Sequence, residues 1–332
     1  MTLHVFNPEH DIALAANLSN FTAPRAGRQL RHDLANLPEL WASDGDLILT
    51  DDVVTLSEVD NVEPWGWDRA LCAELKRRGV SPEVLPNDKQ LQRIRELSHR
   101  RTAAQLLQSL LVDGTVGEVV ECHTIDEVLT FLQTHTRVVL KAPWSSSGRG
   151  VRFVSQQEGR LMLEGATPPV LQWAMNVQKA QGSLMAEPYY DKVEDLAMEF
   201  YADKSGHIAY RGLSLFQTSS GAYTGNLLTT ESSKEEFVNS YIPVSLLNVI
   251  RQKVQENLSL EDYQGPFGID MMIVRSEADK YLLHPCVELN LRRTMGHVAL
   301  ALHKKLNPEG RSDFRKVMRI VYNGQKYELK IE

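Results

Sequence analysis

Two runs decide how this chain is read: Phe267-Gly268-Ile269-Asp270-Met271-Met272-Ile273-Val274 and Glu288-Leu289-Asn290-Leu291-Arg292. Residues two apart on a strand point the same way, so Glu288, Asn290 and Arg292 share one face. That face carries a carboxylate, an amide and a guanidinium. Such a row can hold a hard divalent cation and the phosphate that the cation neutralises. The first run is apolar around Asp270 and reads as a second strand. The polar segment Ser276-Glu277-Ala278-Asp279-Lys280 between them predicts a hairpin. With residue 275 opposite 281, Asp270 and Glu288 are expected on the same face as diagonal neighbours. Pro285 is the residue that can disturb this register. A lone Glu-x-Asn matches often by accident, so the rest of the chain must support it.

The chain has 332 residues, which suggests about two domains, the second subdivided. At 42% hydrophobic and 24% charged residues it has the composition of a soluble globular protein with sizeable cores. A net charge of −7 argues against a nucleic-acid binder, because phosphate neutralisation needs a basic surface. It also argues against a polybasic membrane anchor. No apolar run approaches the ~20 residues of a bilayer span. The start, Met-Thr-Leu-His-Val-Phe-Asn-Pro, does not read as a signal peptide. Cys72, Cys122 and Cys286 are far apart and odd in number, which fits a reducing cytoplasm better than a disulfide framework or a zinc site.

Along the chain, the first ~95 residues alternate short apolar runs with helical patterns, predicting a small α/β layer. Its strands are read at Leu3–Phe6, Leu47–Leu49 and Glu83–Leu85. Its helix is Trp67–Arg78, closed by Gly79, and Pro86-Asn87-Asp88 ends the layer. A helix capped by Ser98 runs to about Leu111. Thr124-Ile125-Asp126-Glu127 is a capping box. Strands follow at Arg137–Lys141, Val151–Val154 and Leu184–Glu187, with a helix opened by Pro168-Pro169 and stopped by Gly182. Leu196–Tyr201 and His207–Leu215 read as antiparallel strands, and Thr218–Asn226 as a loop of small residues. Pro243–Leu258 and His297–Lys305 read as helices. The tail ends in a hairpin turning at Asn323-Gly324.

Lys141 ends an apolar strand and precedes Ser145-Ser146-Ser147-Gly148-Arg149-Gly150. Small residues let backbone N–H groups and hydroxyls close on phosphate oxygens, with the lysine adding charge. This is neither a Walker A loop nor a protein-kinase set. Glu187-Pro188-Tyr189-Tyr190 leads from a strand into an irregular connection whose free backbone groups can meet an adenine edge. Glu194 and Asp195, just beyond, can accept from ribose hydroxyls.

In this order the chain resembles the ATP-grasp superfamily over roughly residues 95–300. The resemblance implies mixed α/β and α+β architecture: a Rossmann-like N-terminal domain (1–95), a lid subdomain (96–190) and a C-terminal subdomain with the metal site (191–332). It implies ATP held by Lys141, Ser145, Ser146, Ser147, Gly148 and Gly150 at the phosphates, with Arg100 or Arg101 beside them. Glu187, Tyr189 and Tyr190 would lie at the adenine, and Glu194 or Asp195 at the ribose. Asp270, Glu288 and Asn290 would hold Mg²⁺, with Mn²⁺ as an alternative ion. Arg292, Arg293 and Arg211 would face the acyl-phosphate or the substrate carboxylate, although Arg293 sits on the opposite strand face and also reads as an outward ion-pair partner. The implied activity is a cytoplasmic ligase joining a small-molecule carboxylate to an amine or thiol through an acyl-phosphate. The same resemblance allows a homodimer.

On the substrate side, Gly221–Asn226 resembles a mobile loop. Asn7-Pro8-Glu9-His10-Asp11 follows the first strand, where open α/β layers bind ligands, while Asp11 reads equally as the cap of a helix Ile12–Asn17. Arg25, Arg28 and Arg31 read as a solvated helix face. Two other classes compete: a nucleotide-binding regulatory or scaffold protein of the same fold, and a dinucleotide-binding oxidoreductase. The latter lacks the Gly-x-Gly-x-x-Gly expected after the first strand.

Overall fold

The computed structural model describes residues 1–52, 56–145, 148, 150–219, 222–276 and 278–332, with the backbone alone at Ala222. Three sheets organise them. The first is parallel, in the order β2-β1-β3: β1 (Thr2–Val5), β2 (Leu47–Ile48) and β3 (Asn61–Pro64). The expected third strand at Glu83–Leu85 is instead a 3-10 turn, Pro82–Val84. Pro82 sets its φ and Ser81 caps it, so the segment has no ladder to join. The layer does not end at Pro86-Asn87-Asp88. Asn87 and Gln90 form a capping box that opens the helix Asp88–Leu97. Ser98 closes that helix, and His99 caps the next one, Arg100–Leu110.

The second sheet is antiparallel, in the order β4-β7-β5-β6: β4 (Val120–Cys122), β5 (Arg137–Lys141), β6 (Val151–Ser155) and β7 (Leu184–Pro188). Val138, Leu140, Leu184 and Ala186 are fully buried against the helices Ile125–Thr134 and Pro169–Gln181.

The third sheet has seven strands, β12-β11-β8-β9-β10-β13-β14. They are β8 (Asp191–Ala202), β9 (Ile208–Ser219), β10 (Ala222–Leu228), β11 (Gly265–Arg275), β12 (Tyr281–Asn290), β13 (Lys316–Tyr322) and β14 (Tyr327–Ile331). Residues 222–226, expected in a mobile loop, are therefore strand, paired with β9 and β13. Gly221, the first residue of that expected loop, lies outside the described residues.

Period-two alternation sets the large sheet's two faces. Phe267, Ile269, Met271 and Ile273 of β11, with Leu196, Met198 and Phe200 of β8, turn to one apolar core. Each such side chain contributes about 1.5–3 kcal/mol when fully buried. The same alternation leaves Gly268 and Asp270, with Asp195, Ala197 and Glu199, on the other face. Gly268 is directly opposite Glu199, and Asp270 is opposite Ala197.

The hairpin starts in the expected register, Arg275 opposite Tyr281. It then shifts between Asp270 and Met272, so that Met272 faces His284 while Asp270 faces Glu288. The carboxylates are thus directly opposite, not diagonal. Pro285, which has no N–H for the ladder, stands where the extra residues are accommodated. The shift is by two residues, so the alternation of faces survives it.

The helix Met295–Leu306 packs over the polar face, against β9 and β10. Buried beneath it, Glu199 (1% exposed) accepts from Thr294 Oγ1 at 2.8 Å and lies 2.9 Å from His297 Nδ1. No helix among the described residues is long and apolar enough to cross a membrane.

Gly296 shows how tight this contact is. Glycine within a helix usually costs about 0.5–1 kcal/mol relative to alanine. Here an added Cβ would lie 1.8 Å from Glu199 Oε1 and 2.8 Å from Ser214 Oγ. Glu199 is anchored and cannot swing away, so overpacking outweighs the helix gain. Gly296→Ala should lose about 1–3 kcal/mol in denaturant unfolding; a stabilised variant would refute the packing described.

Candidate active site

The site is built where the polar face of the large sheet meets the small sheet and the end of β1. Asp270 and Glu288 share one ladder position, and Asn290 Nδ2 donates to Asp270 Oδ2 at 3.1 Å. Burial, then the negative charges of Glu288 and Glu199, hold the Asp270 carboxyl well above the usual carboxylate range. The other Glu288 contact is Arg100, whose Nη2 lies 2.6 Å from Glu288 Oε1. No group of three or more His, Cys, Asp or Glu suited to a metal gathers among the described residues. The set is two carboxylates and an amide, all offering oxygen. Arg100 pairs with Glu288, and Arg292 opposes the rise at Asp270 without cancelling it. That donor chemistry fits a hard cation which takes its remaining ligands from water and phosphate.

The sequence left Arg100 and Arg101 open. Arg100 is 8% exposed and turns inward, donating to Ala142 O at 2.8 Å and Ser145 Oγ at 2.9 Å as well as to Glu288. Its Nε has no partner among the described residues. Arg101 turns outward to Glu121, with both contacts at 2.5 Å. One guanidinium thus links the start of the Ser/Gly loop to the face that carries Asp270 and Glu288.

Lys141 and Glu187 lie on adjacent strands, with Lys141 opposite Met185 and Val139 opposite Glu187. Their side chains meet at 2.7 Å, both buried, and Lys141 Nζ also approaches Val287 O at 3.4 Å. Gly148 has φ +70°, a conformation that favours glycine. A Cβ on Gly150 would lie 2.1 Å from Ser145 Oγ, so the loop folds closely on itself there. Ser146 and Ser147 lie outside the described residues. Trp144 anchors the loop's start: its Nε1 donates to Arg95 O at 2.9 Å, and Arg95 stacks on its ring at 3.7 Å.

Asp195 lies opposite Met272, on the same face as Asp270, and bonds Lys192 and Thr218. Glu194 points to the other side and accepts from Tyr241 Oη at 3.1 Å. Tyr190 is edge-on to His284 at 5.3 Å, and burial pushes its phenol up to about 12. Tyr189 is 42% exposed, stacked under Arg137 and edge-on to Phe153 at 5.8 Å.

The three arginines divide. Arg292 is held by Asp11: its Nε lies 3.0 Å from both carboxylate oxygens and its Nη2 2.9 Å from Oδ2. Burial alone would raise the Asp11 carboxyl, but Arg292 and then His10 bring it below its ordinary value. Asp11 is not a cap. Glu9 occupies that position, and Asp11 sits in the first turn of the helix His10–Ala16. Arg293 faces the first sheet, over Trp41 at 4.2 Å and 3.6 Å from Glu63, with its N–H on Trp65 O. Arg211 is exposed, 5.2 Å from the Tyr201 ring. Neither bonds to Asp270, Glu288 or Asn290 among the described residues. Arg293 follows the end of β12 at Asn290, and Arg211 is the extra residue of a bulge in β9, between Tyr210 opposite Phe200 and Gly212 opposite Glu199. Arg31, read as solvated, bridges Glu9 and Glu74 at 2.9 and 3.0 Å.

Three participants were not singled out from sequence: Glu199, His284 and the Asp11–Arg292 pair. A charged residue inside the apolar run Met198-Glu199-Phe200 was the available signal for the first. His284 is 1% exposed, with both ring nitrogens unpartnered among the described residues. Burial, then the charge of Lys141, lowers its pKa to about 3. The folded state therefore favours neutral imidazole. That stability is complete above the ordinary value of 6.5 and is lost as pH falls towards 3. His284→Leu should flatten the acid limb of the stability–pH curve by up to about 1.4 kcal/mol per pH unit. Unfolding titrations in that window check this, and an unchanged slope would contradict it.

No family model and no curated protein matches this sequence. Solved structures do. Staphylococcus aureus N5-carboxyaminoimidazole synthetase, complexed with ADP, superimposes with a TM-score of 0.52 at 11% identity, over 98% of this chain and 83% of that one. The Aspergillus clavatus N5-carboxyaminoimidazole synthase, with ADP and 5-aminoimidazole ribonucleotide, gives 0.51 at 15% identity, over 97% and 82%. Biotin carboxylase from Campylobacter jejuni, in a beta-gamma-ATP complex, gives 0.52 at 12% identity, over 96% and 75%. At these identities the likeness is one of fold, and with the element order above it leads to one conclusion: this chain has the ATP-grasp fold.

Proposed function

We propose that this chain is an ATP- and Mg²⁺-dependent ligase that activates a small-molecule carboxylate as an acyl-phosphate for attack by an amine. The observation that carries the reading is the pair Asp270 and Glu288 at one ladder position, with Asn290 beside them and Arg100 and Lys141 close by. A protein that only held its fold would gain nothing from two facing carboxylates whose charges oppose each other.

In this reading Asp270, Glu288 and Asn290 would hold Mg²⁺, which would supply neutralisation of phosphate charge. Lys141 exchanges Glu187 for phosphate oxygens, a charge-assisted contact. Arg100 has an Nε with no partner among the described residues and a grip on Ser145, so it joins the start of the Ser/Gly loop to the proposed metal face. Asp195 suits the ribose, since it shares the face of Asp270 and Glu194 does not. Glu187 and Tyr190 border the adenine end. Arg292, fixed by Asp11, presents its remaining N–H groups to the substrate acid. Arg293 and Arg211 support the scaffold and the rim.

Turnover should yield ADP and phosphate, because an acyl-phosphate route transfers only the terminal phosphoryl group. An ADP-release screen against pooled amino acids, small peptides and dicarboxylates identifies the acid, and phosphorus NMR identifies the products. AMP and pyrophosphate would overturn the mechanism. Asp270→Ala or Glu288→Ala should abolish Mg²⁺-dependent turnover while the protein stays folded by circular dichroism; full turnover in both would remove the metal face from the account.

A further inference from the structure

The segment after β1 brings a histidine to the active-site cavity, and the surrounding bonds fix how it is presented. His10 opens its helix and is 1% exposed. Its Nδ1 lies 3.3 Å from Asp68 Oδ2, and Asp68 is itself 3% exposed. Asp68 is held in turn: Oδ1 accepts from Leu71 N at 2.9 Å, capping the helix Arg69–Arg77, and Oδ2 accepts from Asn7 Nδ2 at 3.3 Å. Asn7 closes the frame on Gly66, donating to its carbonyl at 2.8 Å and accepting from its N–H at 3.3 Å.

Gly66 sets the ring plane. A Cβ there would lie 2.5, 2.6 and 2.7 Å from Cδ2, Cγ and Nε2 of His10. Near-equal distances to three ring atoms place the glycine over the face of the imidazole. Nδ1 is taken by the carboxylate, which fixes the tautomer with its proton on Nδ1. Nε2 then carries the lone pair, and it has no hydrogen-bond partner among the described residues. The ring lines the same cavity as Asp11, Arg100, Ser145, Glu288 and Asn290. A carboxylate-oriented imidazole with a free Nε2 is the arrangement that accepts a proton from a nucleophile.

We propose that His10, oriented by Asp68, is the base that takes the proton from the attacking amine. This rests on the ligase reading above. The amine nitrogen forms the C–N bond at the acyl carbon. The C–O bond to phosphate breaks, and its electron pair leaves with the phosphate. The N–H proton passes to His10 Nε2 and from there to solvent. Asp68 is a positioning residue, stabilising the imidazolium that forms.

Hydroxylamine separates the two halves of the reaction. It is a weakly basic nucleophile whose adduct sheds its proton to water without help, so it reports acyl-phosphate formation alone. The experiment uses the full-length protein, MgATP and the pooled acids, with either the pooled amines or hydroxylamine. His10→Gln should lower kcat with amine on the order of 10²–10⁴-fold, and leave hydroxamate formation, MgADP affinity and circular dichroism unchanged. Asp68→Asn keeps an oxygen for the helix cap and removes the charge. It should give a smaller loss with amine and none with hydroxylamine. Equal loss with both nucleophiles would overturn the proposal by placing His10 before activation or in folding. Full activity with amine would overturn it by making His10 an ordinary core histidine. If the wild type forms no hydroxamate with any acid, the ligase reading has failed, and the His10 step falls with it.

Discussion

Two carboxylates facing each other across a ladder, Asp270 and Glu288, constrain the rest of this structure. Like charges opposite one another are unfavourable, and burial makes them more so. The register shift at Pro285 creates the arrangement, because the unshifted hairpin would leave the two diagonal and farther apart. The surroundings answer the charge only in part. Arg100 reaches Glu288, the Asn290 amide reaches Asp270, and Glu199 adds a further negative charge to the field at Asp270. The proposed metal reading rests on what is left over: a cation at this face would supply the charge that Arg100 and Arg292 do not.

Around that face the cations are restrained. Lys141 is paired with Glu187, Arg100 with Glu288, and Arg292 with Asp11. The first lies within the small sheet, on adjacent strands, while the other two join elements far apart in sequence. Arg100 connects the helix after the first layer with the Ser/Gly loop and β12. Arg292 connects the end of β12 with the first layer, and the backbone of Arg293 adds a bond to Trp65. A buried pair whose partner is removed leaves an uncompensated charge, so these contacts hold the three sheets in one arrangement more strictly than apolar packing alone. The same pairs can be exchanged for phosphate and carboxylate oxygens of a ligand, which is why they suit a binding cleft.

Much of this was legible in the sequence, and the divide follows the range of the interactions. The capping box at Thr124, the strand ending at Lys141 and the stop at Gly182 are local, and the structure has them where their residues indicate. The face shared by Asp270 and Glu288 came from alternation, which a two-residue shift preserves. What depends on distant partners was not legible. β3, with polar Asn61 and Glu63 around Val62 and a proline at its end, has no strand signature of its own, and it is made a strand by pairing with β1. The small residues of β10 read as a loop because β9 and β13, not its own side chains, hold it extended. The Asp11–Arg292 and His10–Asp68 pairs bridge segments that no pattern connects. Glu83–Leu85 failed for the opposite reason: apolar content was read as a strand where proline chemistry dictates a turn.

The central claim is that MgATP binds between the small sheet and the polar face of the large one, with Lys141 on its phosphates. Titration calorimetry of the purified protein with MgADP tests it most directly. The account predicts saturable one-site binding that weakens when Mg²⁺ is withdrawn, and a loss of about 1.5–3 kcal/mol of binding free energy in Lys141→Ala, alongside a lower melting temperature of the free variant, in which Glu187 is left buried without its partner. Absence of binding by the wild type, or an affinity in Lys141→Ala equal to that of the wild type, would contradict it.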